Sequence, residues 1–204
     1  MGNKRDPFLP DTLYHVYNHG NGNDNIFQCD ENFYYFLMKY NQYIVPIADT
    51  FTYCLMPNHY HFALRIKDEK HLKEVFMPKL KDPKGFENLS GLTSQTFGNF
   101  LNAYAKAYNK MFNRRGSLFL DSVKRKVVNE ESYFTKLIHY IHFNPVHHGF
   151  VRDLKDWKHS GYHAFISKKA TQLERESVLE WFGGQDDFIK FHRREPTIDF
   201  ELEF

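Results

Sequence analysis

The run Pro57-Asn58-His59-Tyr60-His61-Phe62 sets two histidines two residues apart in a stretch rich in β-formers. Strand side chains alternate between faces, so His59 and His61 project together while Tyr60 and Phe62 turn the opposite way. At a Cα spacing of roughly 7 Å, two strand rises, the imidazoles can share one divalent cation. Two nitrogens do not complete a coordination sphere, so oxygen ligands or water must come from elsewhere. A surface pair with no ligand is the plainer alternative. The second candidate group is Tyr104 and Tyr108, one helical turn apart in a basic stretch. A phenol, with an ordinary pKa of about 10, attacks phosphorus well only where a metal or another cation takes up the developing charge. Helical aromatics also serve simply as core residues. If the pairs meet in space, they form a phosphoryl-transfer site.

The elements that must position these groups follow from period and punctuation. Leu13–Asn18 alternates and reads as a strand, followed by a loop of turn residues to Asn25. Asp30 is expected to cap a helix to about Tyr43, with Phe33, Phe36, Leu37 and Tyr40 on one face. Thr50–Met56 and His59–Lys67 read as strands joined by Pro57-Asn58, a link short enough only for an antiparallel hairpin. Residues 67–90 hold Pro78, Pro83 and Gly85 and read as a connection with one short helix. Thr93–Asn113 is a long amphipathic helix stopped by Gly116. Leu118–Leu120 and Lys124–Val128 read as short strands. A helix is expected from Glu130 to Phe143, ended by Asn144-Pro145. Short helices follow near Tyr162–Ile166, Glu174–Phe182 and Asp186–His192. The pattern predicts an α+β fold, an antiparallel sheet with helices packed on one face. Residues 1–167 would form the main domain and 168–204 an acidic helical C-terminal extension.

With 204 residues, one domain is expected. Hydrophobic residues at 42% exclude a disordered chain, and 18% aromatics leave rings for stacking beyond the core. No apolar run approaches the ~20 residues of a membrane span, and the first ten residues lack the apolar core of a secretory leader. Cys29 and Cys54 alone exclude a disulfide scaffold and fit a cytoplasmic location. The net charge of +2 hides an asymmetry. Between Tyr104 and Val128, Lys106, Lys110, Arg114, Arg115, Lys124, Arg125 and Lys126 face Asp121 alone, whereas beyond Thr171 nine acids oppose four bases. A basic middle fits contact with a polyanion, and it also fits a solvated helix face.

Five separated stretches, in order, resemble the REP-associated tyrosine transposases and the wider single-tyrosine HUH transposases. YCLMPNHYHFAL (Tyr53–Leu64) resembles their histidine–hydrophobic–histidine signature, and LYHVYNHGNGNDNIF (Leu13–Phe27) their first strand and loop. LNAYAKAYNKMFNRRGSLF (Leu101–Phe119) resembles their tyrosine helix. YIHFNPVHHGFV (Tyr140–Val151) resembles the downstream helix and Asn-Pro turn. WKHSGYHAF (Trp157–Phe165) resembles a tryptophan–serine–serine–tyrosine stretch, with Gly161 where serine is usual.

The resemblance implies a ferredoxin-like nuclease core and metal-dependent nicking and strand transfer on single-stranded or hairpin DNA through a 5′-phosphotyrosine. It implies His59 and His61 as ligands of Mg²⁺ or Mn²⁺ and Tyr104 as nucleophile, with Tyr108 the rival. The family's third ligand is an Asn or Gln on the tyrosine helix. Position 108, one turn after Tyr104, holds tyrosine, which leaves Asn109 as the nearest candidate. Arg114, Arg115, Lys124, Arg125 and Lys126 would meet phosphates, and His142, Asn144, His147 and His148 could line the DNA groove. A homodimer is compatible with the family. Two other readings stay open: a non-catalytic hairpin-binding relative, and a metal-dependent phosphoesterase with water as nucleophile.

Overall fold

The computed structural model describes residues 6–79, 88–129 and 131–196. Pro83 and Gly85 of the expected connection, Glu130 as the expected helix start, and the tail beyond 196 lie outside the described residues. Strands β1 (Leu13–His19), β2 (Ala48–Met56), β3 (His59–Ile66) and β4 (Lys124–Val127) form one antiparallel sheet in the order β2-β3-β1-β4. Helix α1 (Asp30–Tyr43) links β1 to β2, and α2 (Glu69–Phe76) and α3 (Leu89–Met111) link β3 to β4. This is the β-α-β-β-α-β plan expected of the class. Leu118–Leu120 is not a strand: Phe119 makes a single bridge, to Gly20.

Alternation along the strands divides the core in two. Tyr14, Val16, Tyr60, Phe62 and Leu64 face α1 and α3 in an aromatic cluster centred on Phe36. Phe36 meets Tyr60, Phe100 and Tyr104 at ring distances of 5.2, 4.8 and 4.9 Å. On the other face, Cys54, Met56 and Ala63 pack against α4 (Glu131–His147), whose Leu137, Ile138 and Ile141 are fully buried. The C-terminal helices α5 (Tyr162–Phe165), α6 (Arg175–Phe182) and α7 (Gln185–His192) complete this second core through Phe165, Val178 and Phe188. Asp30 opens α1 but does not cap it; Cys29 holds the cap position, and the Asp30 carboxylate instead meets Lys158 and His159.

Helix α4 runs past the expected Asn144-Pro145 stop. Pro145 lies in its last turn, where the helix forgoes the one backbone hydrogen bond that a residue at 145 would donate to Ile141 O. Beyond it, Gly149 takes a positive φ of 71°, its N–H bonds Val146 O, and the Phe150 N–H bonds Pro145 O. This is a Schellman cap. The extra turn keeps Asn144 helical, one turn below Tyr140.

Gly161, where the family pattern has serine, has a local cause. A Cβ there would overlap Thr52 Oγ1 and crowd Tyr53 N at 3.2 Å. The Thr52 hydroxyl cannot easily retreat, because it bonds His142 Nε2 at 2.6 Å. Gly161→Ser is therefore expected to cost about 1–3 kcal/mol, the usual penalty for overpacking. Urea unfolding would measure it, and an unchanged midpoint would contradict the steric account.

Candidate nuclease site

His59 and His61 do share one face of β3, with rings 5.2 Å apart and nearly perpendicular. The strands on either side add to that face. Cross-strand register sets His19 opposite His59 and Tyr17 opposite His61 on β1, then Lys124 opposite Tyr17 and Lys126 opposite His15 on β4. The result is a sheet face of four histidines margined by two lysines.

A chain of hydrogen bonds assigns the tautomers of His19 and His59. His19 Nδ1–H donates to Gly20 O at 2.7 Å, so its Nε2 accepts from Asn58 Nδ2 at 3.1 Å. Asn58 Oδ1 then accepts from His59 Nδ1–H at 2.7 Å. His59 Nε2 is thereby left with its lone pair. His61 Nδ1 lies 3.0 Å from His15 Nε2, and the tautomer donating to His15 leaves the buried His61 Nε2 with its lone pair too. Burial holds both imidazoles neutral: His59 is pushed down to about 3 and His61 well below its ordinary value, with neighbouring histidines adding to the shift. Neutral imidazoles whose second nitrogen is held by a partner are the form in which histidine binds metal.

The tyrosine facing this pair is Tyr140 on α4. Its ring lies 5.7 Å from His61 and 6.1 Å from His15. One turn on, Asn144 is buried, donates to Tyr140 O at 3.0 Å, and sets its carboxamide against both His59 and the Tyr140 hydroxyl. Its Oδ1, like His61 Nε2, has no hydrogen-bond partner among the described residues. Two buried imidazole nitrogens and a buried amide oxygen lie on this side of the sheet, donors of the kind that can hold a divalent cation. Among the described residues no three His, Cys, Asp or Glu side chains are arranged to hold a metal, so a protein-derived third ligand would be this amide. Burial, reinforced by the Tyr17 and Tyr133 phenols, pushes the Tyr140 phenol up to about 12, and Asn144 partly offsets that.

Tyr104, expected as nucleophile, is on the side of the sheet opposite the histidine pair. It packs against Phe36 and Phe27 in the first core, and its hydroxyl donates to Ile26 O. Tyr108 is on the same side, bonded to Asn25 O at 2.5 Å. The physical reason is that α3 covers the Tyr60/Phe62 face, opposite the histidines. Asn109, expected as a metal ligand, bonds Gly116 O at 3.0 Å and accepts from Arg114, so it too is apart from the pair. The basic residues divide likewise. Lys124 and Lys126 are on the histidine face and Lys126 is exposed. Arg125 points to the other face, where it bonds Asp6 O and covers the Phe8 ring at 4.1 Å. Arg114 is held by Asp24 and Ser117 O, whereas Arg115 is exposed. His142, expected to line a DNA groove, is instead buried on Thr52 and His192.

Tyr140, His15, His19 and Asn58 had not stood out as site residues from sequence. A usable signal existed for the first: Tyr140 and Asn144 are the i, i+4 tyrosine–amide pair that Tyr104 lacks.

No family model matches the chain. A curated protein of Haemophilus influenzae, named "Putative REP-associated tyrosine transposase", is 21% identical over 141 residues, 68% of this chain and 69% of that protein. A solved structure described as a REP-associated tyrosine transposase bound to a REP hairpin superposes with a TM-score of 0.54 at 10% identity, covering 82% of this chain and 87% of that one. Among the described residues no helix is long and apolar enough to cross a membrane. In sequence over two thirds of its length, and in fold over four fifths, the chain is akin to the REP-associated tyrosine transposases.

Proposed function

We propose that the protein nicks and rejoins single-stranded DNA beside a hairpin, with Tyr140 as the nucleophile. The observation that carries this reading is the convergence of Tyr140 and Asn144 from α4 on the His59/His61 pair. Tyr140 Oη attacks a backbone phosphorus. The new phosphotyrosine O–P bond forms on the 5′ side as the P–O3′ bond breaks, and the phenol proton leaves with the expelled 3′-hydroxyl. A second 3′-hydroxyl reverses the step and joins a new strand without an external energy source, because the ester conserves the bond. His59, His61 and Asn144 would hold a divalent ion, Mg²⁺ or Mn²⁺, which supplies positive charge for the phosphate oxygens. A phenol held near 12 is almost wholly protonated at neutral pH, so some such charge is needed. Lys124, Lys126 and Arg115 supply phosphate contacts and a salt-dependent affinity.

The test is to incubate the full chain with Mn²⁺ and a hairpin oligonucleotide carrying a single-stranded flank, then map any nucleotide-linked peptide by mass spectrometry. Linkage at Tyr140 is expected. Linkage at Tyr104 or Tyr108 would sink the assignment.

His15 enters this reading as a positioning residue for His61. Second-sphere partners of metal-bound histidine typically contribute 10- to 100-fold in affinity. His15→Leu is expected to weaken Mn²⁺ binding by about that factor in a calorimetric titration, and His15→Gln, which keeps an acceptor, by less. Equal affinities in all three proteins would remove His15 from the site.

A further inference from the structure

An aromatic track leads out of the histidine pair along the protein surface. The His59 ring is 4.8 Å from His148, which is 6.2 Å from Phe150, which lies 5.7 Å from Trp157 at an interplanar angle of 29°. Trp157 in turn contacts His159 at 6.0 Å, and His159 stacks on Phe33 at 3.6 Å. The inner end is buried and the middle is open: Phe150 is 41% exposed and His148 is exposed.

Two rigid turns hold the open rings. The Schellman cap of α4 fixes the Phe150 backbone through its N–H bond to Pro145 O. In such a cap a hydrophobic residue at this position usually tucks back against the helix. Phe150 instead stacks outward on Trp157. The Trp157 indole is pinned by an Nε1–H bond to Leu55 O at 2.9 Å, and its turn is capped by Asp153. A ring pair, Phe150 exposed and Trp157 half-buried, that two hydrogen-bonded turns keep in place is preorganised for a flat partner.

The track is continuous with the proposed nuclease site, and it begins at a ligand of that site. We infer that Phe150 and Trp157 form a stacking subsite for one unpaired nucleobase of the single strand, close in sequence to the phosphate that Tyr140 attacks. This rests on the DNA-processing reading and specifies which part of the substrate lies where. A ring face accepts any base, so the subsite would hold the strand in register without choosing its sequence.

The experiment uses the full chain, in EDTA so that binding is separated from chemistry. The ligand is a hairpin oligonucleotide with a single-stranded flank, in which each flank base is replaced in turn by an abasic residue. One abasic position is expected to weaken wild-type binding roughly 10-fold by fluorescence anisotropy, within the usual range for a base–aromatic stack. Phe150→Ala should weaken the intact oligonucleotide by a similar factor and show no further loss at that position. Phe150→Tyr should bind as wild type. In a Trp181→Phe background, Trp157 emission should be quenched by the intact flank and not by the abasic one. The inference fails if every abasic penalty survives Phe150→Ala, if that variant binds as tightly as wild type, or if the flank is not bound at all. A chain that forms no covalent adduct with Mn²⁺ yet shows this coupling would keep the subsite and lose the nuclease. Adduct formation without the coupling would do the reverse.

Discussion

Tyr140→Phe is expected to abolish the covalent protein–DNA adduct, lowering its rate of formation by ~10⁴-fold or more, the scale of losing a nucleophile outright. Only the hydroxyl is removed. The ring contacts with His61 and His15, and with them the packing of α4 on the sheet, should survive. DNA affinity should therefore change little, and a gel-shift titration in EDTA checks that the loss is one of chemistry. The paired control is Tyr104→Phe. Its hydroxyl is buried on Ile26 O in the opposite core, so its removal should cost about 1–2 kcal/mol of stability and leave the adduct intact. The opposite pattern, adduct retained without the Tyr140 hydroxyl and lost without that of Tyr104, would overturn the site described here. Strand cleavage that persists in Tyr140→Phe with no adduct would point to water as the nucleophile.

The contrast between these tyrosines shows what a sequence can and cannot disclose. The two-residue period of His59-Tyr60-His61-Phe62 decides which side chains share a face, and that inference needs no tertiary information. The hairpin at Pro57-Asn58, the helix over residues 30–43 and the acidic C-terminal helices were legible for the same reason: each is set by local period and punctuation. Which helix covers which face is a different kind of fact. It depends on how α3 and α4 cross the sheet, and both present tyrosines on an apolar stripe. The basic residues around Arg114 drew attention to α3, yet Arg114 and Arg125 are engaged by Asp24 and Asp6, on contacts far apart in sequence. Reading Pro145 as a terminator drew attention away from α4. It detached Asn144 from the Tyr140 helix and hid the helical i, i+4 tyrosine–amide pair that the two form. The histidines at 15 and 19 were not singled out because their partners come from another strand, through a register that sequence alone does not give.

Acidification should unfold this protein well above the usual acid range, because its second core is tied together by neutral histidines. His192 Nδ1–H donates to Phe188 O at 2.8 Å, so His192 Nε2 must accept from His142 Nδ1–H at 2.8 Å. His142 Nε2 in turn accepts from the Thr52 hydroxyl at 2.6 Å. This relay runs from α7 through α4 to β2 with every proton assigned. An extra proton on His192 Nε2 would oppose the His142 N–H directly, and both rings are buried. His139 lies beside them, 4.9 Å from His192. Burial is the main cause that depresses all three, to about 3 for His192, about 4 for His139 and well below the ordinary value for His142, and mutual repulsion deepens the effect for His142 and His192. In the unfolded chain each titrates near its ordinary value of 6.5. The unfolded state therefore binds more protons below that value, and the stability from keeping these rings neutral is complete above pH 6.5 and lost as pH falls toward 4. Each histidine contributes about 1.4 kcal/mol per pH unit in that window, so moving from pH 7.5 to 5.5 should remove about 4 kcal/mol from these three alone. That is a large part of a typical domain's margin. His15, His59 and His61 are depressed in the same direction and would steepen the fall. Urea unfolding followed by circular dichroism at the two pH values would measure the difference. His139→Phe, which removes one of the three charges without touching the relay, should reduce it by about a third. A midpoint that does not move between pH 7.5 and 5.5 would mean that water or a counter-charge reaches these rings, and that the second core is not closed.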